Sequence, residues 1–306
     1  DLEAHWRTVR PPAPLVPEWD GGAVDGRLLI WSDQALGVEL LACGLLEAAA
    51  ARAGSAVVEC DPRMVPLLRR SVPGITAVSR GPAPSARAAA TAHVPMTGLP
   101  RLLRRSAGSF PAHRGYLRAD PARTAALRAR YRAAGDGPLV GLSWRSANPI
   151  VGARKSLGLP AWAPILANPS ATFVSLQYGA DAAEAASAGP AVLHDPEINA
   201  LADLDGFAAQ VAAMDLVVTI SNSTAHFAGA LGKPCWLLLP AGNALLWCWY
   251  LCHGDRCPWY PSIRVFPWER DGGWTGTVMR AAEALRQHLA GSSGAAELLS
   301  NDAAQL

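Results

Sequence analysis

The stretch Asp215-Leu-Val-Val-Thr-Ile-Ser-Asn-Ser-Thr-Ala-His-Phe-Ala-Gly-Ala-Leu-Gly-Lys-Pro-Cys-Trp-Leu-Leu-Leu239 does most to limit the folds open to this chain. Leu216 to Ile220 is apolar and predicts a strand. Ser221-Asn222-Ser223-Thr224 predicts a polar turn, the Ala-rich run after it a short helix, and Cys235 to Leu239 a second strand. That order is the unit from which parallel α/β sheets are built. The turn would lie at the carboxyl end of a strand and the amino end of a helix, where free N–H groups and the positive dipole end favour an anion such as a phosphate. Ligands of open parallel sheets bind along that edge. Ser, Asn and Thr are also the preferred caps of any helix, so the turn alone fits a plain N-cap equally well.

The same alternation recurs along the chain. Leu28 to Trp31 reads as a buried strand, followed by the loop Ser32 to Gly37 and an Ala/Leu-rich helix from Val38 to about Arg52. Ala56 to Cys60 and Ile75 to Val78 are further strands, and Asp61-Pro62 opens a helix with a cap and a first-turn proline. His93 to Pro100 reads as a loop, and Arg123 to Arg132 as an exposed, Arg-rich helix whose charges face water. Gly135-Asp-Gly-Pro138 breaks the chain. The pattern then restarts with a strand at Leu139 to Trp144, a polar loop from Arg145 to Lys155, a helix around Trp162 to Leu166, and strands at Thr172 to Gln177 and Ile263 to Phe266. Val278, Ala282, Leu285 and Leu289 recur at helical spacing. Residues past Gly291 are small and polar, the composition of a frayed end. A chain of 306 residues exceeds the usual single-domain size. The expected plan is therefore a linker over residues 1–22, Rossmann-like domains over 23–136 and 137–291 facing each other across a cleft, and a flexible tail over 292–306.

Composition excludes several classes. Half of the residues are hydrophobic and 17% are charged, which excludes disorder over most of the length. A net charge of +2 leaves no electrostatic footprint for nucleic acid. The apolar run Trp236 to Cys252 is interrupted by Pro240, Gly242 and Asn243 and is too short for a membrane span. The chain opens Asp1-Leu-Glu-Ala-His-Trp6, without an initiator Met or a signal segment, as a cut inside a longer protein would. A soluble, cytoplasmic protein is expected. Cys248, Cys252 and Cys257 crowd beside His253, but not at the spacing of a zinc finger or ribbon, so reduced thiols and no metal are expected. An NAD-type oxidoreductase is excluded, because the turn after Trp31 holds one glycine and no GxGxxG.

Several segments carry a family resemblance: Trp19-Asp-Gly-Gly22, Leu28-Leu-Ile-Trp-Ser-Asp-Gln-Ala-Leu-Gly37, Leu142-Ser-Trp-Arg-Ser-Ala-Asn148, Lys155-Ser156, Phe173-Val-Ser-Leu-Gln-Tyr-Gly179, the Ile220 to Pro234 stretch, and Pro258-Trp-Tyr-Pro261. In that order, over about residues 6 to 290, the chain resembles bacterial tetratricopeptide-repeat proteins with a C-terminal glycosyltransferase-like region. That region is similar to the heptosyltransferases and, more distantly, to the O-linked N-acetylglucosamine transferases. The resemblance implies a GT-B architecture, a nucleotide-sugar on the C-terminal domain, an acceptor on the N-terminal one, and helical repeats ahead of residue 1. It implies that Ser221, Asn222, Ser223 and Thr224 form the diphosphate turn, with His226 just behind. Lys155 and Arg145 would add positive charge to the diphosphate. Gln177 and Tyr178 would touch the base or ribose, and Trp247, Trp249, Trp259 and Tyr260 crowd a loop that serves either stacking or packing. His226, on a helix of small and apolar residues, fits a core histidine as well as a ligand contact.

The chain departs from this family at one position. Where related transferases carry an Asp after Gly-Leu-Gly, a candidate general base, this chain has Ala35-Leu36-Gly37-Val38. Asp33, Glu39 and His93 are the remaining candidate bases. Two readings follow. The first is an inverting, metal-independent glycosyltransferase that passes a sugar to a hydroxyl of a protein or glycan, such as a Ser/Thr of a bacterial protein. The other is an inactive GT-B domain that binds a nucleotide-sugar or a partner protein.

Overall fold

A computed structural model of the chain describes residues 14–81, 85–179, 182, 184–187 and 191–303. Part of the expected linker (1–13) and the last residues of the expected tail (304–306) lie outside the described residues. Two parallel sheets organise the rest. The first holds β1 (Leu28–Trp31), β2 (Ala56–Cys60), β3 (Thr76–Ser79) and β4 (Ala92–Pro95) in the order β3-β2-β1-β4. The second holds β5 (Leu139–Ser143), β6 (Thr172–Ser175), β7 (Leu216–Ile220), β8 (Cys235–Leu239) and β9 (Ile263–Pro267) in the order β6-β5-β7-β8-β9. Every strand pair is parallel. β1, β5, β7 and β8 are buried along their whole length, as strands covered by helices on both faces must be.

Strand order fixes where a ligand can reach the backbone. In the first sheet the chain turns one way from β1 to β2 and the other way to β4. In the second it turns one way from β5 to β6 and the other to β7. A crevice opens at such a reversal, outside the carboxyl ends of the strands. The loops after β1, β5 and β7 carry the Ser32 to Gly37, Arg145 to Lys155 and Ser221 to Thr224 segments.

Several elements differ from the sequence-based expectation, among them the single helix expected from Val38 to about Arg52, which is two, Leu36–Cys43 and Leu46–Ala53. His93 is not in a loop: it lies within β4, opposite Leu29. This strand is short, ends in Pro95 and pairs with β1 alone among the strands, which is where a sheet tolerates proline and where sequence pattern is weakest. The Pro121–Arg132 helix is not simply solvated. It packs on the Leu204–Ala213 helix, and its half-exposed arginines pair with carboxylates: Arg123 with Asp203, Arg128 and Arg132 with Asp215, and Arg130 with Asp195 and Glu197. The closing helix runs Gly273–Ala303, so its backbone continues past Gly291.

One apolar core joins the two sheets, running from Leu40 through Tyr260 and Phe227 to Val217. The Leu36–Cys43 helix, which follows β1, packs directly on the Ser223–Ala230 helix, which follows β7. The far end of the second helix is closed by another part of the chain: the Tyr116 and Leu117 N–H groups both donate to the Ala230 carbonyl, at 2.7 and 2.9 Å. Gly232, at φ +69°, makes the crossing possible, since a Cβ there would stand 1.9 Å from the Arg114 carbonyl oxygen.

Candidate functional site

The loop ends over the second sheet meet around the β5–β7 reversal. Asn222 caps the Ser223–Ala230 helix, its Oδ1 accepting from the Thr224 N–H at 3.0 Å. Its Nδ2 donates to Ser143 Oγ (2.8 Å) and to the Arg145 carbonyl (3.1 Å), tying the end of β7 to that of β5. Ser221 Oγ accepts from the indole N–H of Trp249 at 2.8 Å. Thr224 Oγ1, in the first turn of the helix, is fully buried and has no hydrogen-bond partner. A buried hydroxyl left unpaired costs about 1–3 kcal/mol, a condition that Trp162 Nε1, Trp259 Nε1 and Ser262 Oγ share among the described residues.

Lys155 ends the short Gly152–Lys155 helix and is only 2% exposed. Among the described residues no carboxylate pairs with it. Burial lowers its pKa from 10.5 to about 8, and the Cys248 thiol is the one neighbour that opposes the shift. Burial in turn pushes Cys248 up to about 12, so it stays a neutral thiol. The ammonium also acts on His226, in the helix that Asn222 caps.

His226 lies at the junction of the two packed helices. Its Nδ1 shares a 2.8 Å hydrogen bond with the Tyr260 hydroxyl, and its ring stacks on Trp249 with centroids 4.9 Å apart. Burial first, and the Lys155 charge second, hold its pKa down to about 3, so the imidazole is neutral. Gly37, from the first sheet, closes the other side: a Cβ there would stand 3.0 Å from His226 Cδ2 and 3.2 Å from Nε2.

Several expected site residues are committed elsewhere. The Gln177 carboxamide oxygen accepts from Ser143 Oγ and from the N–H groups of Trp144 and Arg145, so it braces the end of β5. Arg145 turns to Glu184, which also accepts from the Trp144 indole. Tyr178 is half-buried at the end of β6, and its carbonyl accepts from the Gln177 amide. Trp247 is 43% exposed and rests edge-on against Trp259, while Trp249, two residues on, is the one that reaches Ser221 and His226. Ser223 is the half-buried first residue of the helix.

The three candidate bases are also engaged. Asp33 accepts from the Thr97 N–H (3.2 Å) and hydroxyl (2.5 Å). Glu39 accepts from the Ser32 hydroxyl, from the Asp61 N–H at 3.0 Å and from Arg80 at 3.1 Å, and burial raises its pKa. His93 accepts from the Trp31 indole at 3.1 Å within the sheet, and burial lowers its pKa. The structure thus brings together Lys155, the Ser221 to Thr224 turn and His226, and adds Gly37, Cys248, Trp249 and Tyr260. The one sequence signal for the added pair Trp249 and Tyr260 was their crowding in one aromatic loop. Among the described residues no group of three or more His, Cys, Asp or Glu side chains is placed to hold a metal, and no helix is long and apolar enough to cross a membrane.

No family model matches the chain. It is 33% identical over 293 residues to the protein FlbA of Caulobacter vibrioides, a match covering 89% of this chain and 48% of FlbA. The chain thus spans about half the length of that curated relative. Two solved structures share its fold at low identity. The glycosyl transferase family 9 protein of Veillonella parvula superposes with a TM-score of 0.57 at 13% identity, over 88% of this chain and 98% of that one. The ADP-heptose lipopolysaccharide heptosyltransferase II of E. coli gives 0.61 at 14% identity, over 87% and 99%. The chain has the α/β fold of these glycosyltransferases.

Proposed function

We propose that the chain is a metal-independent, inverting glycosyltransferase of GT-B architecture that takes a nucleotide-sugar and passes the sugar to a hydroxyl, with a protein Ser/Thr as the acceptor class. The observation that carries this reading is Lys155: a lone buried ammonium beside a helix amino terminus whose Thr224 hydroxyl has no partner. A cation buried at such cost without a carboxylate is a receptor for an anion that arrives from outside. The phosphate of a nucleotide-sugar brings that charge. The ammonium, the helix dipole and the turn would then stabilise the negative charge that develops on the departing nucleotide. Neutral His226, with Gly37 packed against it, lies between the helix that carries the turn and the helix that follows β1.

A second reading has its own support. Val38 stands where the base is expected, and Asp33 and Glu39 both spend their oxygens on neighbours in the N-terminal half. In that reading the domain binds a nucleotide-sugar without transferring it. The test is to incubate the purified protein with a panel of nucleotide-sugars and measure bound ligand and released nucleotide, alongside Lys155→Ala. Lys155-dependent binding with release supports transfer. Lys155-dependent binding without release supports the second reading. No Lys155-dependent binding defeats both.

A further inference from the structure

We propose a second ligand site, over the carboxyl ends of β8 and β9, that takes a sugar ring bearing a carboxylate. It is separate from the phosphate site at Lys155 and does not depend on transfer taking place. A cavity of about 430 Å³ opens there, lined by Arg154, by the 240–244 loop and by Trp268 and Trp274. That volume falls in the range of small-molecule sites, roughly 300–1,000 Å³.

Its lining is specific. Trp268, just after β9, and Trp274, in the first turn of the closing helix, are both half-buried. Two indoles offering their surfaces to one cavity supply apolar platforms with a polar edge, since each carries a single N–H donor. Among the described residues neither indole N–H is taken by a protein acceptor. A sugar presents the matching surface: apolar C–H faces for the indoles, and hydroxyl edges for the N–H groups, the exposed Asn243 amide and the loop backbone. A flat aromatic acid would use the platforms and leave that rim unsatisfied.

Charge selects the acid. Arg154 is exposed and, among the described residues, makes no ion pair. The nearby Glu269 carboxylate is held by Arg280 at 2.8 Å. The cavity thus keeps an unneutralised guanidinium, whose planar fork fits a carboxylate bidentately. Arg154 and Lys155 adjoin on one short helix but serve different volumes: Lys155 is buried toward Cys248 and His226, Arg154 lines the outer cavity.

The test is saturation-transfer difference NMR on the whole chain with D-glucuronate, D-glucose as the neutral twin, and the variants Arg154→Ala, Trp268→Ala, Trp274→Ala and Lys155→Ala. The expected result is saturable glucuronate binding, about tenfold or more weaker for glucose and in Arg154→Ala. Loss in either tryptophan variant and unchanged binding in Lys155→Ala complete it. Arg154 is a surface residue, so its variant keeps the test decisive even if a tryptophan variant fails to fold. No saturable binding, equal binding of glucose, or loss in Lys155→Ala overturns the proposal; the last would make the cavity an extension of the phosphate site.

Discussion

Replacing Lys155 with methionine separates a binding residue from a stabilising one. Its side chain is 2% exposed, and burial takes its pKa from 10.5 to about 8. That difference of about 2.5 units, at 1.36 kcal/mol each, corresponds to about 3 kcal/mol spent in burying the ammonium. Because the folded-state pKa is the lower one, the folded protein prefers the neutral amine. Between pH 8 and 10.5 the unfolded chain therefore binds more protons, and stability rises with pH across that window; below pH 8 the penalty is constant. Methionine keeps the length and removes the charge. Lys155→Met is expected to gain up to about 3 kcal/mol at pH 7 and to lose the rise between pH 8 and 10.5. Urea denaturation of both proteins at pH 7 and pH 10.5 measures it, the difference shrinking at the higher pH. The same variant should bind no nucleotide-sugar, a trade of stability for function. A variant less stable than wild type at pH 7 would mean that the ammonium serves a partner inside the fold and is not held there for a ligand.

Other consequences are equally direct. Gly37→Ala would bring a methyl to 3.0 Å from His226 Cδ2, and with that ring held by Tyr260 and Trp249 it should cost about 1–3 kcal/mol despite alanine's better helix propensity; an unchanged or raised Tm would show that the ring gives way. His226, held neutral with its pKa lowered from 6.5 to about 3, makes the wild type lose stability as pH falls below 6.5 toward 3, and His226→Gln should flatten that limb in acid titrations followed by circular dichroism. Glu39→Ala breaks bonds to Arg80, Ser32 and the Asp61 N–H but leaves Arg80 with Asp61, so a loss of about 1–3 kcal/mol in urea unfolding is expected, and wild-type stability would return Glu39 to the list of bases. If transfer occurs through Asp33, Asp33→Asn should lower its rate by about 10²–10⁴ while nucleotide-sugar binding persists.

Sequence revealed the sheets more fully than the site. β1 and β8 are continuous apolar runs and β5 and β7 carry one hydroxyl residue each, Ser143 and Thr219, because strands covered on both faces have no exposed side to fill with charge. β4 escaped because it is a four-residue edge strand ending in a proline. The polar turn at Ser221 to Thr224 was legible as a strand-to-helix turn, although its residues fit a plain cap as well, and Lys155 was singled out through the family resemblance alone. The roles of the polar residues beside them were not legible. Gln177 and Asn222 read as ligand contacts, yet their amides hold the backbone of Ser143 to Arg145, and sequence does not say which way an amide turns. Arg145 looked like a phosphate cation, but Glu184, 39 positions on, takes its guanidinium. Trp247 and Trp249 are equivalent by type, and only the fold decides that Trp249 faces inward.

Isothermal calorimetry of nucleotide-sugars, titrated into the wild-type chain and into Lys155→Ala at pH 7, decides whether Lys155 receives the donor's phosphate. At least one nucleotide-sugar is expected to bind the wild type saturably, and the variant, although folded by circular dichroism, to lose that binding by about tenfold or more. Equal affinity in the two proteins, or no binding to either, would contradict the assignment of the buried Lys155 pocket as the receptor for the donor's phosphate.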